Sequence, residues 1–249
     1  MIRIKNEKQI DGIRKSCKLL AALYEEILPA VKEGVSAAEI DRLCKSFIQS
    51  RGGVPAWYAE NFPGAACISV NEEIIHGIPH KRKVFRSGDL VSLDIGIDLG
   101  GYISDSAKTV AVGEISPRER ELMEVTQKCL DAGIEACRAG NRISDISHAV
   151  FNTARAAGFG VVYEYCGHGV GLSVHEDPNV PNFPSKRGPN HRIVPGMVLA
   201  IEPMLTMGTD DVDHLNDNWT VVTADGTKAC HFEHTVAVFA GHTEILTAL

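Results

Sequence analysis

Apolar residues recur every three or four positions in two segments near the N-terminus, the spacing of one face of a helix. In the first segment these residues are Ile10, Ile13, Cys17, Leu20, Tyr24 and Ile27. Pro29 and Gly34 end this pattern. The second segment opens with Ser36 and Glu39 as a capping box and stops at Gly52 and Gly53. The pattern therefore predicts two helices before residue 54.

A similar arrangement returns from Ser116. The run S-P-R-E offers a capping serine, a proline at the first helical position and a glutamate at the third. It predicts a helix that runs to Gly140, followed by a second helix capped at Ser144 that extends towards Gly158. Because each half reads as two helices followed by strands, we interpret residues 1–249 as a single domain built from a duplication, with halves of about 1–113 and 114–249.

Alternating apolar and polar residues predict strands in clusters. DLVSLDIGIDLGGYISDSAKTVAVG contains two alternating runs around Leu99-Gly100, typical of a β-hairpin, and WTVVTADGTKACHFEHTVAVF repeats the form around Ala224-Asp225-Gly226. Helices and strands do not alternate strictly, so the pattern indicates an α+β fold with a largely antiparallel sheet.

Composition narrows the class of protein. The chain has 249 residues, 44% of them hydrophobic, which is enough for a substantial core. Its formal charge of -7 comes without basic blocks, so nucleic-acid binding is not expected. No apolar run approaches the length of a membrane span, and the N-terminus lacks a signal-like apolar segment, so we expect a cytoplasmic protein. The seven cysteines include no C-x-x-C pair, which favours reduced thiols.

Two aspartates lie in the first predicted hairpin. A two-residue Leu99-Gly100 loop would place Asp94 directly opposite Asp105, with Cβ atoms roughly 4.5–5.5 Å apart, where like charges repel. Solvent exposure, a shared proton or a metal ion would relieve that repulsion. The apolar sequence around Asp94 argues against exposure, which leaves a proton or a metal.

Further acids and histidines favour the metal. Glu202 lies in MVLAIEPML and Glu233 in HFEHTVAVF, and a glutamate in an apolar strand needs a partner to stay charged. The stretch EYCGHGVGLSVHEDP adds His168 and His175, seven residues apart. Four carboxylates and an imidazole suit hard divalent ions and provide enough ligands for two of them.

Motifs along nearly the whole chain resemble those of the type I methionine aminopeptidases, in the short bacterial form. They are SVNEEIIHGIP at 69–79, SLDIG and SDSAKT within 92–109, YCGHGVGLSVHEDP at 165–178, LAIEPML at 199–205, and WTVVTADG and FEHTVAV within 219–238. Each motif is weak alone, but their order makes the set specific. The resemblance implies the pita-bread (creatinase/aminopeptidase) fold, in which two pseudo-symmetric halves form a curved, largely antiparallel sheet covered by helices.

The resemblance also implies the roles of individual residues. The ligands of two divalent ions, whether Co, Mn, Fe or Zn, would be Asp94, Asp105, His168, Glu202 and Glu233. Asp105 and Glu233 would bridge the ions. An activated bridging water would attack the scissile carbonyl, with Glu202 as the acid and base. His175 would donate to the carbonyl oxygen as it gains charge, and His76 would contact the scissile amide.

The methionine pocket of the family matches this chain only in part. Cys67 and Trp219 match its cysteine and tryptophan. Phe62 stands where the family commonly has a tyrosine, Val174 where it often has phenylalanine, and His231 where it often has glutamine. We therefore expect a wider or differently polar pocket, in which a leucine side chain is better tolerated.

Substrates would be nascent polypeptides or peptides with N-terminal methionine and a small second residue, and a monomer in transient contact with the ribosome is expected. Two alternatives remain. A proline-specific aminopeptidase or prolidase uses the same ligands, but favours a glycine after I-E-P and an aspartate after the last glutamate, where this chain reads IEPML and FEHT. A non-catalytic binding module of the same fold would not need the intact ligand set.

Overall fold

A computed structural model describes residues 1–185 and 188–248 of the chain. Its α-helices are α1 (Glu7–Ile27), α2 (Ala37–Ser50), α3 (Pro117–Ala136) and α4 (Ile143–Ala156). Two short 3-10 helices cover Leu28–Ala30 and Ala56–Glu60. None of the helices in these two ranges is both long and apolar enough to cross a membrane.

Most helix boundaries follow the predicted caps. The Ser36 N–H donates to Glu39 Oε2 (2.9 Å) at the start of α2, and the Ser116 N–H donates to Glu119 Oε2 (2.6 Å) at the start of α3. The prediction that Ser144 caps α4 is wrong. The helix begins one residue earlier, and the Arg142 N–H donates to Asp145 (2.7 Å), because the Ser144 hydroxyl and N–H are both bonded to Asn190. Helix α3 also ends before Gly140, at Ala136.

The strands form antiparallel pairs in four hydrogen-bonded sheets. They are β1 (Val54–Pro55), β2 (Cys67–Val70), β3 (Glu73–Ile75), β4 (Leu90–Asp98), β5 (Ile103–Ala111), β6 (Gly160–Val161), β7 (Gly167–Gly169), β8 (Glu176–Val180), β9 (Val198–Ile201), β10 (Met204–Thr206), β11 (Val212–His214), β12 (Val221–Thr223), β13 (Ala229–His231), β14 (His234–Val238) and β15 (Thr243–Ile245). The largest sheet has the order β15-β14-β9-β7-β8, and β4 is central to a second sheet with β1, β2 and β5.

The prediction of a second β-hairpin is wrong. A turn at Ala224-Asp225-Gly226 closes with the Gly226 N–H donating to the Thr223 carbonyl (3.2 Å), but the flanking strands do not pair with each other. Strand β12 pairs with β11 and β3, whereas β13 pairs with β10. Strand β12 therefore forms its local pair with β11 instead of β13, and the pairings with β3 and β10 join segments that are further apart in sequence.

Each pair of helices covers its own sheet. One core cluster joins α1 and α2 to β4 through residues such as Leu20, Ile40 and Leu93, and another joins α3 and α4 to β9 and β14 through residues such as Ile146 and Leu199. The fold is thus mixed α+β, with antiparallel sheets covered by helices, as the sequence predicts. The proposed duplication of halves 1–113 and 114–249 stays a prediction.

The two main sheets meet along β5 and β14. The Thr235 hydroxyl donates to the Asp105 carbonyl (2.7 Å), and the Ser106 hydroxyl donates to the Glu233 carbonyl (2.7 Å). These side-chain hydrogen bonds hold the two strands together at a place where no ladder of backbone hydrogen bonds pairs them. Acidic residues of both sheets are consequently held close together.

Candidate functional site

The first hairpin has a different register from the predicted one. Its loop contains four residues, with Gly100 and Gly101 at positive φ (65° and 86°), so Asp94 faces Ala107 and Asp105 faces Gly96. The prediction that the two aspartates are directly opposed is therefore wrong. Because the register shifts by two residues, both side chains stay on one face of the sheet as diagonal neighbours.

Two glutamates reach the same place from the other sheet. Glu202 directly follows β9, and its carbonyl accepts the Asn182 side-chain amide (2.9 Å). Glu233 lies between β13 and β14, and its N–H donates to the Ala107 carbonyl beside the aspartates (2.9 Å). The structure therefore brings together all four carboxylates that the sequence singled out.

His168 lies in the middle of β7, between β8 and β9. Its Nδ1 is 2.9 Å from the Gly169 carbonyl, which can only accept, so Nδ1 carries a proton and Nε2 of the neutral ring does not. That Nε2 lies 3.3 Å from Glu202 Oε1 and 3.7 Å from Asp105 Oδ2. Three acceptors thus face one another, which requires a cation or a proton between them.

Glycines allow β7 to lie between its neighbours. A Cβ at Gly167 would be 2.3 Å from the Ala200 carbonyl oxygen, and one at Gly169 would be 2.3 Å from the Asp177 carbonyl oxygen. Only glycine fits so close to another backbone. These two glycines therefore position His168 within the sheet.

Burial dominates the electrostatics of this cluster. It raises the pKa of Asp94 to about 7 and the pKa values of Asp105, Glu202 and Glu233 well above their ordinary range; for the last three the neighbouring carboxylate charges add to the effect. Burial also lowers the pKa of His168 to about 4. Without a cation, the native cluster retains protons that the unfolded chain has already lost at neutral pH, and this lowers its stability as the pH rises.

The cluster fits a divalent metal. Asp94 Oδ1, both carboxylate oxygens of Asp105 and Glu233 Oε1 are buried without a hydrogen-bond partner among the described residues. Ligand atoms of Asp105, His168 and Glu233 all lie within 4.8 Å of one another. Buried polar atoms are normally satisfied, and oxygen donors with one imidazole suit hard or borderline divalent ions. The donors present therefore match such an ion.

His76 lies in a strained turn directly after β3. Its φ of 57° is left-handed, which is unfavourable for a residue with a side chain. Gly77 holds this turn, because its N–H donates to Ser69 Oγ (3.1 Å) and its carbonyl accepts the Ile68 N–H (2.8 Å). Burial lowers the pKa of His76 to about 4, so the ring is neutral at neutral pH.

His175 lies on the solvent side of the site. Its exposed ring is 4.5 Å from the His168 ring, measured between centroids, and its Nδ1 is 3.6 Å from Glu60 Oε1. His168 and His175 both line a cavity of about 540 Å³, which Met1 and Arg3 also line. A ligand entering from solvent would therefore meet His175 close to the carboxylate cluster.

Four residues of the predicted methionine pocket belong to one apolar cluster. Phe62, Cys67 and Val174 are buried in it, and the half-buried Trp219 packs against it. The Phe62 and Trp219 rings meet edge to face at 5.2 Å, and Trp219 lies 6.2 Å from the His76 ring. Cys67 pairs directly with Asp94 across β2 and β4, so the pocket adjoins the carboxylates.

Comparison with known proteins decides the family. The model of metallopeptidase family M24 matches residues 11–240. A methionine aminopeptidase of Treponema pallidum is 63% identical over 247 residues, which cover 99% of this chain and 96% of that protein. Methionine aminopeptidase 1 of Bacillus subtilis is 45% identical, covering 99% of both chains. This chain belongs to the methionine aminopeptidases of family M24.

Solved structures agree with this assignment. The methionine aminopeptidase of Thermotoga maritima superposes with a TM-score of 0.96 at 39% identity, covering all of both chains. Prolidase from Pyrococcus furiosus has a TM-score of 0.81 at 22% identity, and only 65% of that chain is covered. The prolidase likeness shows a common pita-bread fold, whereas the closer identities favour the methionine aminopeptidases. Membership of this metallopeptidase family also implies that the chain uses a divalent metal.

Two residues in this region of the methionine aminopeptidase were not predicted as site residues. The Tyr165 ring meets His76 edge to face at 5.7 Å, and its hydroxyl is hydrogen-bonded to His214 Nε2 (2.9 Å). His231 Nε2 lies 3.7 Å from Glu202 Oε2. The sequence marks His231 only as a departure from the family in the pocket region, because pairing of β10 with β13 is what brings it towards Glu202.

Proposed function

We propose that this chain removes N-terminal methionine from peptides and nascent polypeptides by hydrolysis, with two divalent ions held by Asp94, Asp105, His168, Glu202 and Glu233. The observation that carries the proposal is the set of buried, unpartnered carboxylate oxygens facing the unprotonated Nε2 of His168. When bound, divalent ions lower the pKa of water and polarise a carbonyl oxygen.

The chain's own residues handle the proton and the substrate. Glu202 takes the proton of the attacking water and passes it to the departing amine. His175, at the mouth of the cavity, donates to the substrate carbonyl oxygen as negative charge develops there. His76 binds the scissile amide on the leaving side.

Substrate selection rests on two features. Phe62, Cys67, Val174 and Trp219 form an apolar wall beside the cluster, which suits the unbranched, polarisable side chain of methionine. A free α-amine is available only at a chain terminus, so recognition of this amine makes the enzyme an exopeptidase. A small second residue is required because a larger one would crowd His76 and His175. The proposal includes a monomeric enzyme in the cytoplasm, in transient contact with ribosomes.

The reaction is tested with chelator-treated protein and the peptide Met-Ala-Ser, with and without Mn²⁺, Co²⁺ or Fe²⁺. Release of methionine only when metal is present supports the proposal. Ala-Pro-Ser is the control peptide. Cleavage of this peptide alone would establish a proline-specific peptidase, and inactivity on both peptides with every metal would favour a binding module.

The role of Glu202 is tested by Glu202→Ala. We expect kcat to fall about 10²–10⁴-fold, the usual contribution of a general acid or base, with a much smaller change in KM. Glu164→Ala, which removes an exposed glutamate from the same region, is the matched control and should leave kcat unchanged. Bound metal is measured in each variant. Equal losses in kcat and in substrate binding, in a Glu202→Ala protein that still holds both ions, would contradict the assignment.

A further inference from the structure

His231 is a buried histidine whose side chain has no hydrogen-bond partner. Its exposure is 1%, and neither ring nitrogen has a partner among the described residues. Its backbone, in contrast, is satisfied, since Thr109 Oγ1 accepts its N–H (3.1 Å) and donates to its carbonyl (2.7 Å). Burying a polar group without a hydrogen bond costs free energy, so an unpartnered imidazole indicates a group that it serves.

A carboxylate that His231 can serve is that of Glu202. His231 Nε2 lies 3.7 Å from Oε2, while His168 Nε2 lies 3.3 Å from Oε1. The Glu202 carboxylate therefore stands between two imidazoles, each facing a different oxygen. The His231 separation exceeds a normal N–H···O distance by about 0.7 Å, which a small side-chain rotation closes.

The two imidazoles are not equivalent. His168 turns an unprotonated Nε2 towards the carboxylates because its Nδ1 proton is held by the Gly169 carbonyl. No group in the described part of the chain accepts a hydrogen bond from His231 Nδ1, so the neutral ring can carry its proton on Nε2 and donate it. A hydrogen-bond donor fits this position better than a further ligand.

We propose that His231 is a positioning residue that donates its Nε2–H to Glu202 Oε2 and so holds Oε1 towards the metal-binding cluster. This inference rests on the proposed role of Glu202 as a ligand and as the acid and base. Groups that orient a ligating carboxylate typically change metal affinity by 10–100-fold when they are removed. Fixing the carboxylate also serves proton transfer, which depends on its geometry.

The test compares two variants with the wild-type chain. His231→Leu removes the hydrogen-bond donor and fills its place with an apolar side chain of moderate size. His231→Gln keeps an N–H donor at the end of the side chain. Mn²⁺ is titrated calorimetrically into each chelator-treated protein, and kcat and KM for Met-Ala-Ser are then measured at saturating Mn²⁺. We expect His231→Leu to bind Mn²⁺ about 10–100-fold more weakly, with a lower kcat and a nearly unchanged KM. His231→Gln should recover most of both losses.

The outcomes that contradict this inference differ from those that contradict the proposed function. Wild-type-like Mn²⁺ affinity and kcat in His231→Leu would overturn the inference. Equal losses in His231→Leu and His231→Gln would also overturn it, because the imidazole would then act as a ligand or as packing and not as a donor. If His231→Leu does not fold by circular dichroism, His231→Met is judged by the same criteria. Absence of Mn²⁺ binding to the wild-type protein would instead refute the proposed function.

Discussion

Lys5 and Glu176 form a buried ion pair between the N-terminal segment and the residues around His175. The Nζ to Oε2 distance is 2.7 Å, and the two side chains are 1% and 2% exposed. The other oxygen of Glu176 accepts the N–H groups of Leu172 (2.8 Å) and Ser173 (3.0 Å). This carboxylate thus fixes the turn that leads into His175. Burial lowers the pKa of Lys5, so its charge depends on the pair.

We predict that Lys5→Met strongly destabilises the protein. Removing one partner of a buried ion pair costs about 3–5 kcal/mol, because the other charge is left uncompensated. Two backbone N–H groups still stabilise Glu176, and Arg3 Nη1 lies 3.8 Å from it, so we expect the lower end, about 3 kcal/mol. At about 2–4 °C per kcal/mol for a chain of this length, Tm should fall by roughly 6–12 °C.

The measurement is thermal and urea unfolding of chelator-treated protein, followed by circular dichroism. Lys8→Met removes an exposed lysine three residues further along, in the first turn of α1, and should stay within about 0.5 kcal/mol of wild type. Adding Glu176→Gln to Lys5→Met removes the uncompensated charge and keeps an oxygen that accepts the two N–H groups, so this double variant should be more stable than Lys5→Met alone. A Lys5→Met protein within about 1 kcal/mol of Lys8→Met would refute the reasoning.

Three further outcomes are expected. Between pH 7 and 9 the Tm of the metal-free protein should fall, because its native carboxylates hold protons that the unfolded chain has lost. Histidines with lowered pKa values change stability only below about pH 6.5 and do not contribute in this range. Saturating Mn²⁺ should abolish the fall in Tm, and a Tm that does not change with pH in the metal-free protein would contradict the raised pKa values. Gly77→Ala places a Cβ 2.4 Å from the Ile68 carbonyl oxygen, so the turn that carries His76 must move; we expect kcat/KM for Met-Ala-Ser to drop at least about tenfold, and wild-type kinetics would show that His76 is not positioned by this turn. With Phe62 and Val174 in the pocket, the preference for Met-Ala-Ser over Leu-Ala-Ser should stay below about a thousandfold in kcat/KM. A larger ratio would contradict the expectation that this pocket tolerates a leucine side chain.

Local sequence signals were sufficient for the presence of the α-helices, though not for all of their ends, and for the identity of the clustered residues. Periodic apolar positions and the capping serines Ser36 and Ser116 act within a few residues of one another, so they predicted helix starts that the structure confirms. Ser144 failed as a cap because Asn190, which is distant in sequence, binds its hydroxyl and its N–H.

Acids embedded in apolar strands, such as Asp94 and Glu233, also stood out in the sequence, because a charged group in such a strand needs a partner wherever the strand lies. The sequence alone therefore determined the helices, the α+β class and the carboxylate-rich chemistry of this protein. Its motifs identify the family without any knowledge of which strands pair.

Tertiary structure decided everything that depends on which strands pair. The separation of β12 from β13 was set by their pairing with β3 and β10. The approach of His231 to Glu202 and the ion pair between Lys5 and Glu176 join residues that are 29 and 171 positions apart. Such contacts follow from the packing of whole sheets and helices, and local periodicity carries no information about them.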